Sequence, residues 1–154
     1  MNILFVCTGN TCRSPMAAGI MAKLCEENDL DVNIESAGIF AQEGTSATPE
    51  AIEALKKYGI DISSHRAQPI TQELIDKSDM ILTMTEAHKM LLQGLAKDKT
   101  CTVCELADID SEIEDPFGGD LADYEKTADN LYIALSQIAD KLYMIEQNKK
   151  EDNK

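Results

Sequence analysis

Cys7 and Arg13, with five residues between them in Val6-Cys7-Thr8-Gly9-Asn10-Thr11-Cys12-Arg13-Ser14-Pro15, are the pair in this 154-residue chain best equipped for chemistry. A thiolate is a strong nucleophile. It is favoured over the thiol beside a guanidinium, at a helix N-terminus or among unpaired N–H groups. Arg13 carries a planar fork that can hold two oxygens of a phosphoryl group and grip them harder as charge develops. It is one of only two arginines, the other being Arg66. Gly9 allows close backbone approach, and Asn10 tolerates left-handed geometry while its amide can brace a loop. The residues Thr8, Gly9, Asn10, Thr11, Cys12, Arg13 and Ser14 would then cradle an oxyanion above the sulfur of Cys7. An isolated Cys7 would read as a buried strand-end cysteine and Arg13 as a surface charge. The conjunction of strand, loop and helix start around them favours the nucleophilic site.

Three elements must position that loop. The apolar run Ile3-Leu4-Phe5-Val6 predicts a strand ending at the cysteine. Ser14 and Pro15 predict the cap and first turn of a helix, along which Met16, Ala17, Ile20, Met21 and Leu24 recur three and four apart. Val32, Ile34 and Ser36-Ala37-Gly38 predict a second strand, so a parallel strand–helix–strand unit carries the loop. Further along, Thr48-Pro49 opens a helix stopped by Gly59, and Thr71-Gln72-Glu73 begins a short one. Asp79 to Met84 predicts a strand buried on both faces, and Thr85-Glu86 a helix to about Leu95. Cys101-Thr102-Val103-Cys104 reads as a short fourth strand. Glu105 to Asp120 loses periodicity and reads as a loop of functional length. From Leu121 to Ile145 a single apolar stripe predicts a helix; it could suit a coiled coil, but packing on the domain's own sheet is favoured. Alternation of strands and helices gives a doubly wound α/β fold with ligands at the carboxyl ends of the strands. One domain over residues 1–147 and a charged, frayed tail over 148–154 are expected.

Composition bounds the function. Apolar residues make up 44% and charged residues 27%, an ordinary globular balance. The net charge of −14 argues against nucleic-acid binding, which needs clustered Lys and Arg, and favours basic protein partners over acidic ones. No apolar run reaches the length of about 18 residues expected of a membrane span, and the N-terminus lacks a signal-peptide pattern. A cytoplasmic, monomeric protein without membrane or nucleic-acid partners is expected. The five cysteines then read as reduced thiols.

Phosphoryl transfer to a thiolate needs an acid to protonate the leaving group. Asp115-Pro116-Phe117-Gly118-Gly119 offers a carboxylate held by proline, an aromatic wall and two hinge glycines, but Asp108, Asp110, Glu112 and Glu114 lie in the same loop. These residue types alone leave Asp115 undistinguished. The chain resembles the low-molecular-weight protein tyrosine phosphatases over essentially its whole length. The matching stretches are Val6 to Pro15, Ser36-Ala37-Gly38, Gly59-Ile60-Asp61 with His65-Arg66-Ala67, Asp79 to Thr85, and Asp115-Pro116. The resemblance implies a four-stranded parallel sheet, hydrolysis through a phosphocysteine without cofactor or metal, and phosphorylated protein substrates. It implies catalytic roles for Cys7, Arg13 and Asp115, with Asn10, Ser14, Ser36 and His65 as hydrogen-bonded support. His88 is read as structural.

Within that family the loop and the Asp-Pro-Phe-Gly-Gly stretch look most like the bacterial protein arginine phosphatase branch. Thr11 stands where many tyrosine-specific members have a bulky aliphatic residue, so Thr11 and Phe117 are expected to shape the substrate pocket, with phosphoarginine the preferred substrate and phosphotyrosine the alternative. One departure is Ala18-Gly19 where family members usually carry a glutamate; the glycine is expected to weaken the first helix by up to ~1 kcal/mol. Two readings compete: a thiol-dependent arsenate reductase, for which Cys101 and Cys104 would have to relay a disulfide, and a non-catalytic phosphoprotein-binding module. Cys12 carries two readings of equal weight, a packing residue or a partner that captures an oxidised Cys7 as a disulfide.

Overall fold

The computed structural model describes all 154 residues. Four strands, β1 (Asn2–Cys7), β2 (Asn33–Gly38), β3 (Met80–Thr83) and β4 (Thr100–Thr102), lie in the order β2-β1-β3-β4, each pair parallel. Six α-helices accompany them: α1 (Arg13–Glu27), α2 (Pro49–Ala54), α3 (Gln72–Lys77), α4 (Glu86–Ala96), α5 (Val103–Leu106) and α6 (Leu121–Asp152). No helix is long and apolar enough to cross a membrane.

Side chains along β1 alternate between two cores, as period-2 geometry requires. Ile3, Phe5 and Cys7 enter a cluster with Met16, Ile20 and Leu24 of α1, Ala51 of α2 and Leu131, Leu135 and Ile138 of α6. Leu4 and Val6 point the other way, against Leu74 and Ile75 of α3 and Leu92 and Ala96 of α4. This two-sided burial explains why β1 is apolar throughout, and it is the doubly wound arrangement expected. Phe5, Met16, Ile20 and Leu131 are buried to the last per cent, each stabilising the fold by about 1.5–3 kcal/mol.

The chain leaves β1 toward β2 on one side and returns past it to β3 on the other, so the order reverses at β1. In open α/β sheets that reversal places a crevice at the strands' carboxyl ends. Cys7 ends β1, and the turn from β3 into α4 ends beside it.

Local signals at the other helix starts are realised. Thr48, Thr71 and Thr85 cap α2, α3 and α4 by accepting from Ala51, Leu74 and His88 N–H groups. A 3-10 turn over Lys56–Tyr58 follows α2, and Gly59 ends it at φ +72°. Four expectations are corrected. Helix α1 starts at Arg13, with Cys12 rather than Ser14 at the cap position and no side-chain cap bond. The fourth strand stops at Thr102, because Thr102 and Glu105 form a reciprocal capping box that turns Val103–Leu106 into α5 and buries Cys104. The helix α6 continues past Gln147 to Asp152. Gly19 is more than a weak point in α1: a Cβ there would come within 2.8 Å of Ile62 and 3.0 Å of Ile60, so its absence lets that loop pack on the helix.

Candidate active site

The loop from Thr8 to Cys12 is held by buried hydrogen bonds, most of them made by one residue. Asn10 is fully buried at φ +57°. Its side-chain amide donates to Ser14 Oγ at 2.7 Å and Ser36 Oγ at 2.9 Å, and its Oδ1 accepts from the backbone N–H of Gln68 at 3.0 Å. Its carbonyl accepts from His65 Nε2 at 2.7 Å, which fixes the tautomer of that ring. Burial pushes the His65 pKa down, and the Arg66 guanidinium adds to this; the Asn10 carbonyl works against both. The end of β2 must lie close against the loop, since a Cβ on Gly38 would stand 2.6 Å from Thr8 O and 2.9 Å from Asn10 N. Only glycine fits there.

Two donors reach the sulfur of Cys7. Ser14 Oγ lies 2.9 Å from Sγ, and the backbone N–H of Asn10 donates at 3.2 Å. The hydroxyl of Ser14 accepts from Asn10 and so has its own proton free for the sulfur, an arrangement suited to an anionic thiolate. Ser14 thus spends its hydroxyl on Asn10 and the Cys7 sulfur from inside α1 and does not cap the helix.

Arg13 is 4% exposed and is oriented by the loop after α5. Its Nη1 donates to the carbonyl of Ile113 at 3.1 Å, and Nη2 stands 3.5 Å from Asp115 Oδ2. Ile113, buried in an otherwise acidic stretch, pins that loop by donating its N–H to Met84 O at 3.1 Å, while Glu112 accepts from the N–H of Glu86 at 2.7 Å. The Asp115 carboxylate is half-exposed, and its Oδ1 accepts from Phe117 N–H at 3.0 Å. Cys7, Thr8, Gly9, Thr11, Cys12, Arg13, Asp115 and Phe117 together line a cavity of about 220 Å³ at the carboxyl end of β1. Of the residues expected to surround the oxyanion, Asn10 and Ser14 lie behind this wall and the rest form it. Phe117, 73% exposed, stands at the rim.

Residues 2–151 match the family model described as low molecular weight phosphotyrosine protein phosphatase. The chain belongs to this family. It is 42% identical over 146 residues to a protein-arginine-phosphatase of Bacillus subtilis (strain 168), covering 92% of this chain and 97% of that one. It is also 39% identical over 140 residues to the low molecular weight protein-tyrosine-phosphatase PtpB of Staphylococcus epidermidis, covering 90% and 96%. Among solved structures, a YwlE arginine phosphatase with its active-site cysteine changed to serine, and that serine phosphorylated, superposes with a TM-score of 0.89. It shares 41% identity over 92% of this chain and 95% of its own.

The phosphatase loop has neighbours that sequence reasoning missed. His88, read as structural, places Nε2 2.9 Å from Thr8 Oγ1 on the cavity wall. Only the sheet register of β1 on β3 unites residues so far apart in sequence. Ile113 had a usable signal, being the lone aliphatic residue among Ser111, Glu112 and Glu114. Cys12 contacts Tyr124 Oη at 3.5 Å, and burial, aided by this contact, pushes the tyrosine up to about 12. Cys101 and Cys104 are free thiols outside the cavity, and burial pushes both upward, away from the thiolate a relay needs.

Proposed function

We propose that this protein hydrolyses phosphorylated side chains of proteins through a phosphocysteine on Cys7, with phosphoarginine as preferred substrate. The observation that carries the reading is the convergence of Cys7, Arg13, Thr11 and Asp115 on one small cavity. In the first half-reaction Cys7 Sγ attacks phosphorus, the bond to the substrate nitrogen or oxygen breaks, and Asp115 delivers its proton to that leaving atom. Arg13 and the loop N–H groups hold the phosphoryl oxygens as charge spreads over them. In the second, Asp115 takes a proton from water while the water oxygen attacks phosphorus; the S–P bond breaks, and thiolate and inorganic phosphate result. The uncapped first turn of α1 leaves its N–H groups for that anion.

For the substrate, Thr11 offers a hydroxyl and little apolar surface where a phenyl ring would need a wall. The half-exposed Asp115 can accept hydrogen bonds from a guanidinium before protonating it. A net charge of −14 favours cationic side chains, and an arginine phosphatase stands among the similar proteins. Phosphotyrosine is the second reading, favoured by the exposed ring of Phe117, which could stack on an aryl group. Turnover of phosphoarginine and phosphotyrosine peptides by the wild type and Thr11→Ile decides between them. The wild type should prefer phosphoarginine, and Thr11→Ile should move the ratio toward phosphotyrosine by about tenfold, the scale of one hydrogen bond or one methylene contact. A wild type preferring phosphotyrosine, or an unchanged ratio, would overturn the specificity assignment.

A further inference from the structure

The chain of hydrogen bonds behind Thr8 has no part in the two half-reactions, yet it ends in the cavity. Thr8 Oγ1 lies 2.9 Å from His88 Nε2, and His88 Nδ1 lies 3.1 Å from Thr85 Oγ1. Thr85 Oγ1 in turn accepts the backbone N–H of His88 as the α4 cap. The ring is 6% exposed, so each nitrogen must be satisfied within this chain of three residues. Thr8 itself is exposed and lines the cavity.

Two proton arrangements satisfy the ring, and they differ at the cavity. In one, the Thr85 hydroxyl donates to Nδ1, Nε2–H donates to Thr8 Oγ1, and the Thr8 hydroxyl proton is left to point into the cavity. In the other, Nδ1–H donates to Thr85 and the Thr8 proton is consumed by Nε2, so only lone pairs of Thr8 face the cavity. A phosphoryl group in the cavity is attracted by the first and repelled by the second. We infer that His88 is a positioning residue that turns the Thr8 hydroxyl into a hydrogen-bond donor toward the bound phosphoryl oxygens. The inference rests on the phosphatase reading only in taking a phosphoryl anion as the occupant. The charged groups facing His88 are Arg13 from α1 and Glu112 and Asp115 from the loop after α5; burial and Arg13 keep the ring neutral, with the two carboxylates opposing them. A neutral ring is what makes the tautomer decisive, since only then does one nitrogen lack a proton.

The test uses inorganic phosphate as ligand and needs no turnover. The chain has two histidines, so 15N-histidine labelling gives two rings, and His88→Gln assigns them. With phosphate bound, His88 should show a protonated Nε2 and a bare Nδ1; a protonated Nδ1 with bare Nε2 in that state overturns the inference. Calorimetric phosphate affinity then gives a double-mutant cycle. Thr8→Val and His88→Leu should each weaken binding by about tenfold, and the double variant should be no weaker than either alone. His88→Gln, which keeps an N–H donor near Nε2, should restore most of the loss. Thr8→Val is on the exposed wall and tests the donor even if His88→Leu fails to fold. Unchanged affinity in Thr8→Val, or additive losses in the cycle, would refute the role. Failure of the wild type to hydrolyse a chromogenic phosphate ester while the cycle still couples would count against the proposed function and leave this inference standing.

Discussion

Replacing Asn10 by alanine removes more of the loop's internal support than any other single truncation. Three hydrogen bonds vanish, to Ser14 Oγ, Ser36 Oγ and the Gln68 N–H. Ser14 keeps its contact with Cys7, but the Ser36 hydroxyl and the Gln68 N–H each lose their only partner. A buried polar group left unpaired costs about 1–3 kcal/mol; the buried Ser36 hydroxyl incurs this in full and the half-buried Gln68 N–H a smaller part, so these two account for about 1–4 kcal/mol. The backbone at φ +57° adds ~1 kcal/mol for a residue with a Cβ and no local hydrogen bond. Asn10→Ala should therefore lose about 2–5 kcal/mol, against a total of about 5–15 kcal/mol for a domain of this kind. Asn10→Gly should lose ~1 kcal/mol less, because glycine enters the left-handed region freely.

Urea unfolding followed by far-ultraviolet circular dichroism measures both variants; the chain has no tryptophan to report by fluorescence. Where the variants remain folded, kcat/KM for a chromogenic phosphate ester should fall by about a hundredfold, the effect of a misplacement near 1 Å. A stability loss below about 1 kcal/mol would refute the accounting of unpaired groups, which assigns at least that cost to the buried Ser36 hydroxyl alone. Equal losses in the alanine and glycine variants would refute its backbone part.

The remaining predictions concern the acid, the second loop cysteine and pH. Asp115→Asn should lower turnover of phosphoarginine peptides by about 10²–10⁴-fold but spare the first step with nitrophenyl phosphate, whose leaving group departs as a stable anion. A burst of nitrophenolate equal to the enzyme concentration should then precede slow turnover; no burst and equal losses on both substrates would exclude an acid–base role. Peroxide should oxidise Cys7 to a sulfenic acid that the Cys12 thiol captures as a disulfide with release of water, and dithiothreitol should restore activity in the wild type but not in Cys12→Ser. Equal recovery in both would leave Cys12 a packing residue against Tyr124. His65 and His88 both titrate below their ordinary 6.5 in the fold, so the unfolded chain binds protons that the folded chain refuses. Stability is therefore full above about pH 6.5 and falls as pH drops through that value, and urea midpoints between about pH 7.5 and 5.5 should decline less in a His65→Gln variant.

Much of the fold was legible because burial and period agree. The two-sided apolar run of β1, the helical spacing from Met16 to Leu24 and the threonine caps at 48, 71 and 85 are local patterns, and each forms the element its pattern predicts. Capping-box chemistry was equally legible at Thr102-Val103-Cys104-Glu105, but the β-branched and cysteine side chains there imitate a strand. Long-range pairs were not legible. Nothing in the sequence near Thr8 or Thr85 says that parallel pairing of β1 with β3 brings Thr8 to His88, or that Ile113 will return to Met84 and carry Asp115 to Arg13.

The failure at Ser14 is of a different kind, because there a correct local rule gives the wrong structure. A serine before proline at a helix start should cap the helix. Here its hydroxyl is drawn off by Asn10 on one side and the Cys7 sulfur on the other, and α1 begins two residues early with no side chain bonded to its first turn. An uncapped helix leaves N–H donors unpaired, a cost of about 0.5–2 kcal/mol that a fold selected for stability alone would avoid. The same unpaired donors, the buried Arg13 and the hydrogen bonds to sulfur meet where the loop runs into α1, and each favours negative charge. Local sequence preference and structure part company at the loop for which anion binding is proposed, the kind of place where a local rule is expected to give way to function.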